Sequence, residues 1–377
     1  MSQQTSLDFK IGIIGPSRVG KTSLIATMLR DAQRMLEGSP TRIEADDSAT
    51  QAKIDEHDNE LQGAIRSGRF RNQAVRGTED PFEFKLRLEP GNGAASVRFE
   101  VLDFPGAWVT SQLAEHVARW KECQAWIESS RVMLVPIDAT LLMETQTDEH
   151  DQALDKLLTV AQVKKVVRMW AKGRNQHAAE PATLLLCPVK CETYFADNGG
   201  LRNASRRLLE RVRQVYATVI TTVKGEAPHV QIAYAPIDTL GCAELISAEW
   251  EEDSRTPGDF IFSTMFRVIK PGELRSKGAD SLMAMLCAEA LSLAGERARA
   301  LAEATRGGAD AAAERAERSE GFLHDIWNRF NGETKRRQEH AQQLYAELQA
   351  QLRQVEALQK ALQAMASFPR DSRLQKL

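Results

Sequence analysis

With 377 residues, 42% hydrophobic and only 6% aromatic, the chain is long enough for one large domain with insertions or for two domains, which excludes a peptide or a disulfide-stapled miniprotein. Its 49 Lys and Arg against 52 Asp and Glu leave a net charge of −3, so no global basic field draws it to nucleic acid or to an anionic membrane. No apolar run reaches the roughly 18 residues of a membrane span. The polar first ten residues lack the order of a secretory leader, which makes the cytoplasm the expected compartment. The five cysteines are odd in number and scattered, and the single close pair, Cys187 and Cys191, has no second pair to complete a zinc site.

From residue 9 to about residue 294, short aliphatic or β-branched runs alternate with longer amphipathic stretches, the pattern of an α/β fold on a mostly parallel sheet. The first strand is expected over residues 10–14 and the first helix over 22–36. Between them lies Gly15-Pro16-Ser17-Arg18-Val19-Gly20-Lys21-Thr22, which matches the phosphate-loop pattern G-x-x-x-x-G-K-[ST] in its required strand-to-helix setting. Gly15 and Gly20 let the backbone curl so that its N–H groups, those of Ser17, Arg18 and Val19 among them, face an anion, and the helix N-terminus beneath adds partial positive charge. Lys21 is placed to reach the β- and γ-phosphates, the Thr22 hydroxyl to ligate a bridging Mg²⁺, and Ser23 to serve the α-phosphate end.

Residues 48–66 have helical spacing but are unusually polar, and Arg66, Arg69, Arg71 and Arg76 follow; this reads as a solvated helical insertion around residues 45–75. Strands are expected over 82–88 and 97–102. The second leads into Asp103-Phe104-Pro105-Gly106, whose aspartate stands where a carboxylate meets Mg²⁺ and whose glycine lets a backbone N–H approach the γ-phosphate. Further strands are expected over 132–137, 183–189 and 230–236, with helices over 108–129, 148–172 and 201–224 and a late strand over 260–269.

Beyond residue 294, Ala, Arg, Glu and Gln dominate and strand-formers nearly vanish, so residues 295–377 read as an α-helical extension to a domain of residues 1–294. Phe322, Leu323, Ile326, Trp327 and Phe330 share one helical face. Leu344, Leu348, Leu352, Val355, Leu358, Leu362 and Met365 follow at coiled-coil-like steps. Two readings stand: a helical hairpin folded back on its own domain, or a docking or dimerising arm.

With the D-x-x-G element following the phosphate loop, the chain resembles the translation-factor and Ras-like class of P-loop GTPases, and in its order of motifs bacterial stand-alone GTPases of the double-GTPase type. That resemblance implies a three-layer P-loop fold. It also implies a first-switch threonine closing on Mg²⁺ and the γ-phosphate, matched best by Thr78, with Thr41 a second candidate. The family's [NT]-K-x-D base element is met by Val189-Lys190-Cys191-Glu192, where Glu192 would accept from guanine N1 and N2 and the Lys190 stem would pack on the base. Val189 departs from the pattern, which leaves an adenine-tolerant site open. Thr239 falls where a loop N–H meets the base carbonyl.

Many members place a glutamine after the D-x-x-G glycine to orient the attacking water; here Ala107 and Trp108 follow Gly106, which implies slow intrinsic hydrolysis. On this reading Lys21, Thr78 and Gly106 carry the catalytic roles, Thr22, Asp103 and Thr78 the metal, and GTP or GDP with Mg²⁺ is the ligand. A conformational switch is expected to engage a protein effector or a second copy through the switch loops or the C-terminal helices. An ATP-using P-loop enzyme and a nucleotide-plugged adaptor working through its tail are the alternatives.

Overall fold

Phe9, Ile11 and Ile13 are wholly buried in β1 (Thr5–Ile13), because this strand lies inside a sheet covered on both faces. The computed structural model describes residues 5–71, 80–91, 95–104, 114–198, 202–241, 243–269, 276–320 and 331–377. After β1 come α1 (Lys21–Met35), β2 (Arg42–Ala45), α2 (Ser48–Arg66), β3 (Arg69–Arg71), β4 (Phe82–Glu89) and β5 (Ala95–Asp103). Then follow α3 (Ala114–Ser129), β6 (Val132–Asp138), α4 (Ala139–Met143), α5 (Asp148–Leu157), α6 (Val160–Asn175), β7 (Thr183–Val189), α7 (Ser205–Val215), α8 (Ala217–Glu226) and β8 (Gln231–Tyr234). The chain closes with β9 (Ala243–Glu252), β10 (Phe260–Val268), α9 (Ala279–Glu320), α10 (Asn331–Ala366) and β11 (Gln375–Lys376).

Eight strands form the main sheet in the order β11-β8-β7-β6-β1-β5-β4-β2. The central five, β8, β7, β6, β1 and β5, run parallel; β4 is antiparallel to β5, β2 is antiparallel to β4 and so runs with the central strands, and β11 at the other side is antiparallel to β8. Side chains alternate between two cores, as the period of two along a strand requires. Met133, Val135, Leu184 and Leu186 face Trp120, Val163, Trp170 and Leu208 of α3, α6 and α7. Leu134, Leu185 and Cys187 face the opposite core, with Leu24 and Met28 of α1, Leu282 and Leu286 of α9, and Leu358 and Leu362 of α10. The fold is therefore the expected α/β one, a mostly parallel sheet between helical layers with helices at its C-terminal end.

The tail folds back. Val355, Leu358, Leu362 and Met365 are buried in the same core as Phe9, Val97 and Phe99, and β11 adds antiparallel to β8. Phe322, Leu323, Ile326, Trp327 and Phe330 lie outside the described residues. The polar segment of residues 48–66 does form α2, but it is docked: Thr50, Ile54, His57, Leu61 and Ile65 bury one stripe, and the Thr50 hydroxyl accepts from the Lys85 N–H at 3.0 Å.

Three expectations change in detail. The helix expected over 148–172 breaks at Thr159, whose φ of 52° is left-handed. That over 201–224 breaks at Tyr216 into α7 and α8. The late strand exists as β10 but joins β9 and β3 in a separate three-stranded antiparallel sheet. No helix among the described residues is long and apolar enough to cross a membrane.

Candidate functional site

The parallel register brings the carboxyl ends of β1 and β5 together, Ile13 pairing with Asp103, while on the other side Ile13 pairs with Leu134 and β6 runs on past it to Asp138. Loops at this edge of an open α/β sheet are where such folds receive ligands. Gly15 sits so close to β6 that a Cβ there would lie 3.0 Å from the Pro136 carbonyl oxygen. Gly20, the residue before α1, holds φ at 110°, a conformation that costs an L side chain strain. Arg18 is also left-handed, at φ 63°. Val19 is buried beneath the loop, and Ser17 and Arg18 stand exposed on its rim.

Lys21 begins α1 with its side chain curled under the loop. Its Nζ donates to the carbonyls of Gly15 (3.2 Å) and Pro16 (3.3 Å) and lies 3.5 Å from Asp103 Oδ1, with only 4% of the residue exposed. A buried ammonium is held this way only with compensating oxygens around it. Thr22 and Ser23 follow, half-buried in the first turn of α1. Magnesium, the ion such a loop implies, takes a carboxylate or hydroxyl from the protein and completes its shell with phosphate and water. The buried Asp103 carboxylate beside the loop and the Thr22 hydroxyl are hard oxygen donors of that kind, so the residues fit it. Among the described residues no cluster of His, Cys, Asp and Glu is assembled for a metal.

Lys190 stitches the loop to the next strands. Its Nζ donates to the Arg18 carbonyl at 3.1 Å and to Asp138 Oδ2 at 2.5 Å, from a backbone at φ 58°. Asp138, at the end of β6, also caps α4 by accepting from the Thr140 and Leu141 N–H groups at 3.0 and 3.2 Å. Val189, wholly buried, sits against Gly20: a Cβ added there would be 3.6 Å from its Cγ2. An apolar side chain thus packs where the family pattern has a polar one.

Glu192 turns inward, 6% exposed, and its Oε1 accepts from the N–H of Leu240 (2.9 Å) and Gly241 (3.5 Å) and from the Thr239 hydroxyl (3.4 Å). Burial, together with the negative charge of Asp238, pushes its pKa up to about 7, against the opposing pull of the loop N–H groups. Thr239 is tied to α1 as well, its carbonyl accepting from the Thr27 hydroxyl at 3.4 Å. The structure therefore brings Gly15, Lys21, Asp103, Lys190, Glu192 and Thr239 to one edge of the sheet. Thr78 and Gly106 lie outside the described residues, and Thr41 is buried just ahead of β2.

Asp138, Asp197, Asp238 and Arg373 form ion pairs beside these loops, and the sequence reading did not single them out. Only Asp138 carried a signal, a carboxylate closing the apolar strand Val132–Asp138 as Asp103 closes β5. The thiols at Cys187, Cys191 and Cys287 are buried, which pushes all three pKa values up and leaves them unreactive.

No protein-family model and no curated protein sequence matches the chain. Among solved structures it is similar to the Saccharomyces cerevisiae Ski7 GTPase-like domain bound to GDP and inorganic phosphate, at 12% identity and a TM-score of 0.33. It is likewise similar to the same domain bound to GTP, at 11% identity and a TM-score of 0.31. In both, the match covers 63% of this chain and 44% of that one, so it spans under half the length of those chains.

Proposed function

We propose that the chain binds GTP and GDP with Mg²⁺ at the Gly15–Thr22 loop and works as a slow GTPase switch for a protein partner. The observation that carries this is the buried Lys21 ammonium, enclosed by the Gly15 and Pro16 carbonyls and facing Asp103 at the head of α1. A phosphate chain would exchange those carbonyl contacts for its own oxygens while the loop N–H groups and the helix N-terminus receive its charge. Thr22 and Asp103 would hold Mg²⁺, whose positive charge would offset that of the phosphate chain.

Base selection rests on the β7 and β8 loops. Glu192 Oε1 is engaged by the Leu240 and Gly241 N–H groups, so the guanine N1 and N2 donors would fall to Oε2. Lys190 spans from the phosphate loop to β6 and would flank the base. Val189, packed on Gly20, contributes no polar group. A site that accepts ATP is therefore the second reading.

Calorimetry of the whole protein with Mg²⁺ and GTP, GDP or ATP, followed by phosphate release on the same sample, tests the proposal. Tighter binding of GTP than ATP with slow release is expected, and Lys21→Ala should abolish binding of all three. Equal affinity for GTP and ATP would remove the guanine assignment, and no binding by the unsubstituted protein would remove the whole reading.

A further inference from the structure

The C-terminal segment reaches the two loops just assigned to the base. Ser281, in the first turn of α9, presents its hydroxyl to the Asp371 N–H at 2.6 Å, and the Asp371 carboxylate accepts from the Arg373 N–H at 2.9 Å. This turn directs Arg373 inward, where only 4% of the residue remains exposed. Beyond it β11 pairs with β8, and the Leu377 N–H donates to the Ile232 carbonyl at 2.9 Å.

Arg373 grips both loops at once. Its fork holds Asp197, after β7, through Nη2 to Oδ1 and through Nε to Oδ2 at 3.1 Å. Its Nη1 stands 2.9 Å from Oδ2 of the wholly buried Asp238, after β8, an ion pair off the hydrogen-bond direction. The guanidinium lies over the Phe195 ring, 3.9 Å from its centroid. Lys277 repeats the pattern from the start of α9: its Nζ pairs with Asp197 at 2.7 Å, and its backbone exchanges hydrogen bonds with that of Asp238 at 3.0 and 3.1 Å. On the far side, Asp238 Oδ1 accepts from the Cys191 thiol at 3.3 Å, and Glu192 and Thr239 are the next residues along each loop.

We infer that the C-terminal segment is a latch on the base-recognition loops, with Arg373 the positioning residue that fixes Glu192 against the 239–241 turn and so sets selectivity for guanine. The inference rests on the guanine-nucleotide reading of the site. Without Arg373, Asp238 is a buried carboxylate that has lost a paired cation, which drives its loop to open toward water. The phosphate loop, held by Lys21 and Lys190, makes no contact with Arg373 in this network and keeps its geometry.

The test compares Arg373→Ala and Arg373→Lys with the unsubstituted full chain, titrating GTP, ATP and inorganic tripolyphosphate, each with Mg²⁺, and checking melting temperature alongside. Arg373→Ala is expected to weaken GTP about tenfold, while tripolyphosphate and ATP change less than about twofold. Arg373→Lys, whose single ammonium cannot fork across two carboxylates, should fall between. If Arg373→Ala does not fold, Arg373→Lys carries the comparison. An unchanged ratio of GTP to ATP affinity in the variants, or an equal loss for all three ligands, overturns the latch. An unsubstituted protein that binds tripolyphosphate but does not prefer GTP fails differently: it removes the guanine reading, and the latch with it.

Discussion

Lys190 and Glu192 stand two residues apart and face opposite ways, one toward the phosphate loop and the other into the base-side turn. Lys190→Ala would cut the tie between the Arg18 carbonyl and Asp138 and leave that carboxylate with its helix-capping bonds and the Thr140 hydroxyl but without the Lys190 ammonium; nucleotide affinity measured by calorimetry should fall for GTP and ATP alike. Glu192 has a different signature. Its proton is held to about 7 by burial and Asp238, above the ordinary 4.5, so the folded chain binds more protons than the unfolded one between these values. Its contribution to stability is therefore greatest below about 4.5 and declines as pH rises through about 7. Guanine selection runs the other way, because only the carboxylate accepts from both guanine donors. The ratio of GTP to ATP affinity should rise between pH 6 and pH 8 and stay flat in Glu192→Gln; an equal slope in both proteins would detach Glu192 from the base. The phosphate loop was legible in the sequence because its chemistry is contiguous. Arg373 was not, since it meets Asp197 and Asp238 from 176 and 135 positions away (373 − 197 and 373 − 238) with no motif to announce it.

At the scale of elements, what could be read depended on how completely each was buried. The strands β6 and β7 are buried at every position and were legible as continuous apolar runs. β2 and β3 are short and largely exposed, and both residues of β11 are exposed, so neither composition nor alternation marks them. The break between α5 and α6 was hidden for another reason: Leu154, Leu158, Val160 and Val163 are all buried and continue a helical apolar pattern through it, with no Gly or Pro to punctuate. Thr159 makes the turn at φ 52° without a side-chain capping bond, a conformation that costs a β-branched residue about 1–2 kcal/mol. Thr159→Gly relieves that strain and adds back some unfolded-state entropy, so a net gain of about 0.5–1 kcal/mol in urea unfolding is expected. A loss of stability would mean that the Thr159 side chain contributes packing greater than its strain.

For the whole molecule the decisive feature is that one face of the central sheet is closed by α1, α9 and α10 together. The sequence marks a sharp change of composition near residue 294, yet Leu362 is wholly buried in one core with Phe9 and Ile11 of β1, Val97 and Phe99 of β5, and Leu134 of β6. Composition reports what a helix exposes over most of its length; it does not report where its last turns are seated. A chain built this way loses the sheet's lower cover if the end of α10 is loosened, and β1, which leads directly into the phosphate loop, lies under that cover. Leu362→Ala is expected to cost about 2–5 kcal/mol, the range for emptying a buried leucine site. Because the cores meet across the same strands, the loss should reach beyond the tail. In native-state hydrogen exchange, the slowest amides of β6 and β7 should lose protection by the same free energy as those of α10. Protection that falls in α10 while β6 and β7 keep theirs would instead mark the end of the chain as a separately unfolding unit, able to leave the sheet without unfolding it.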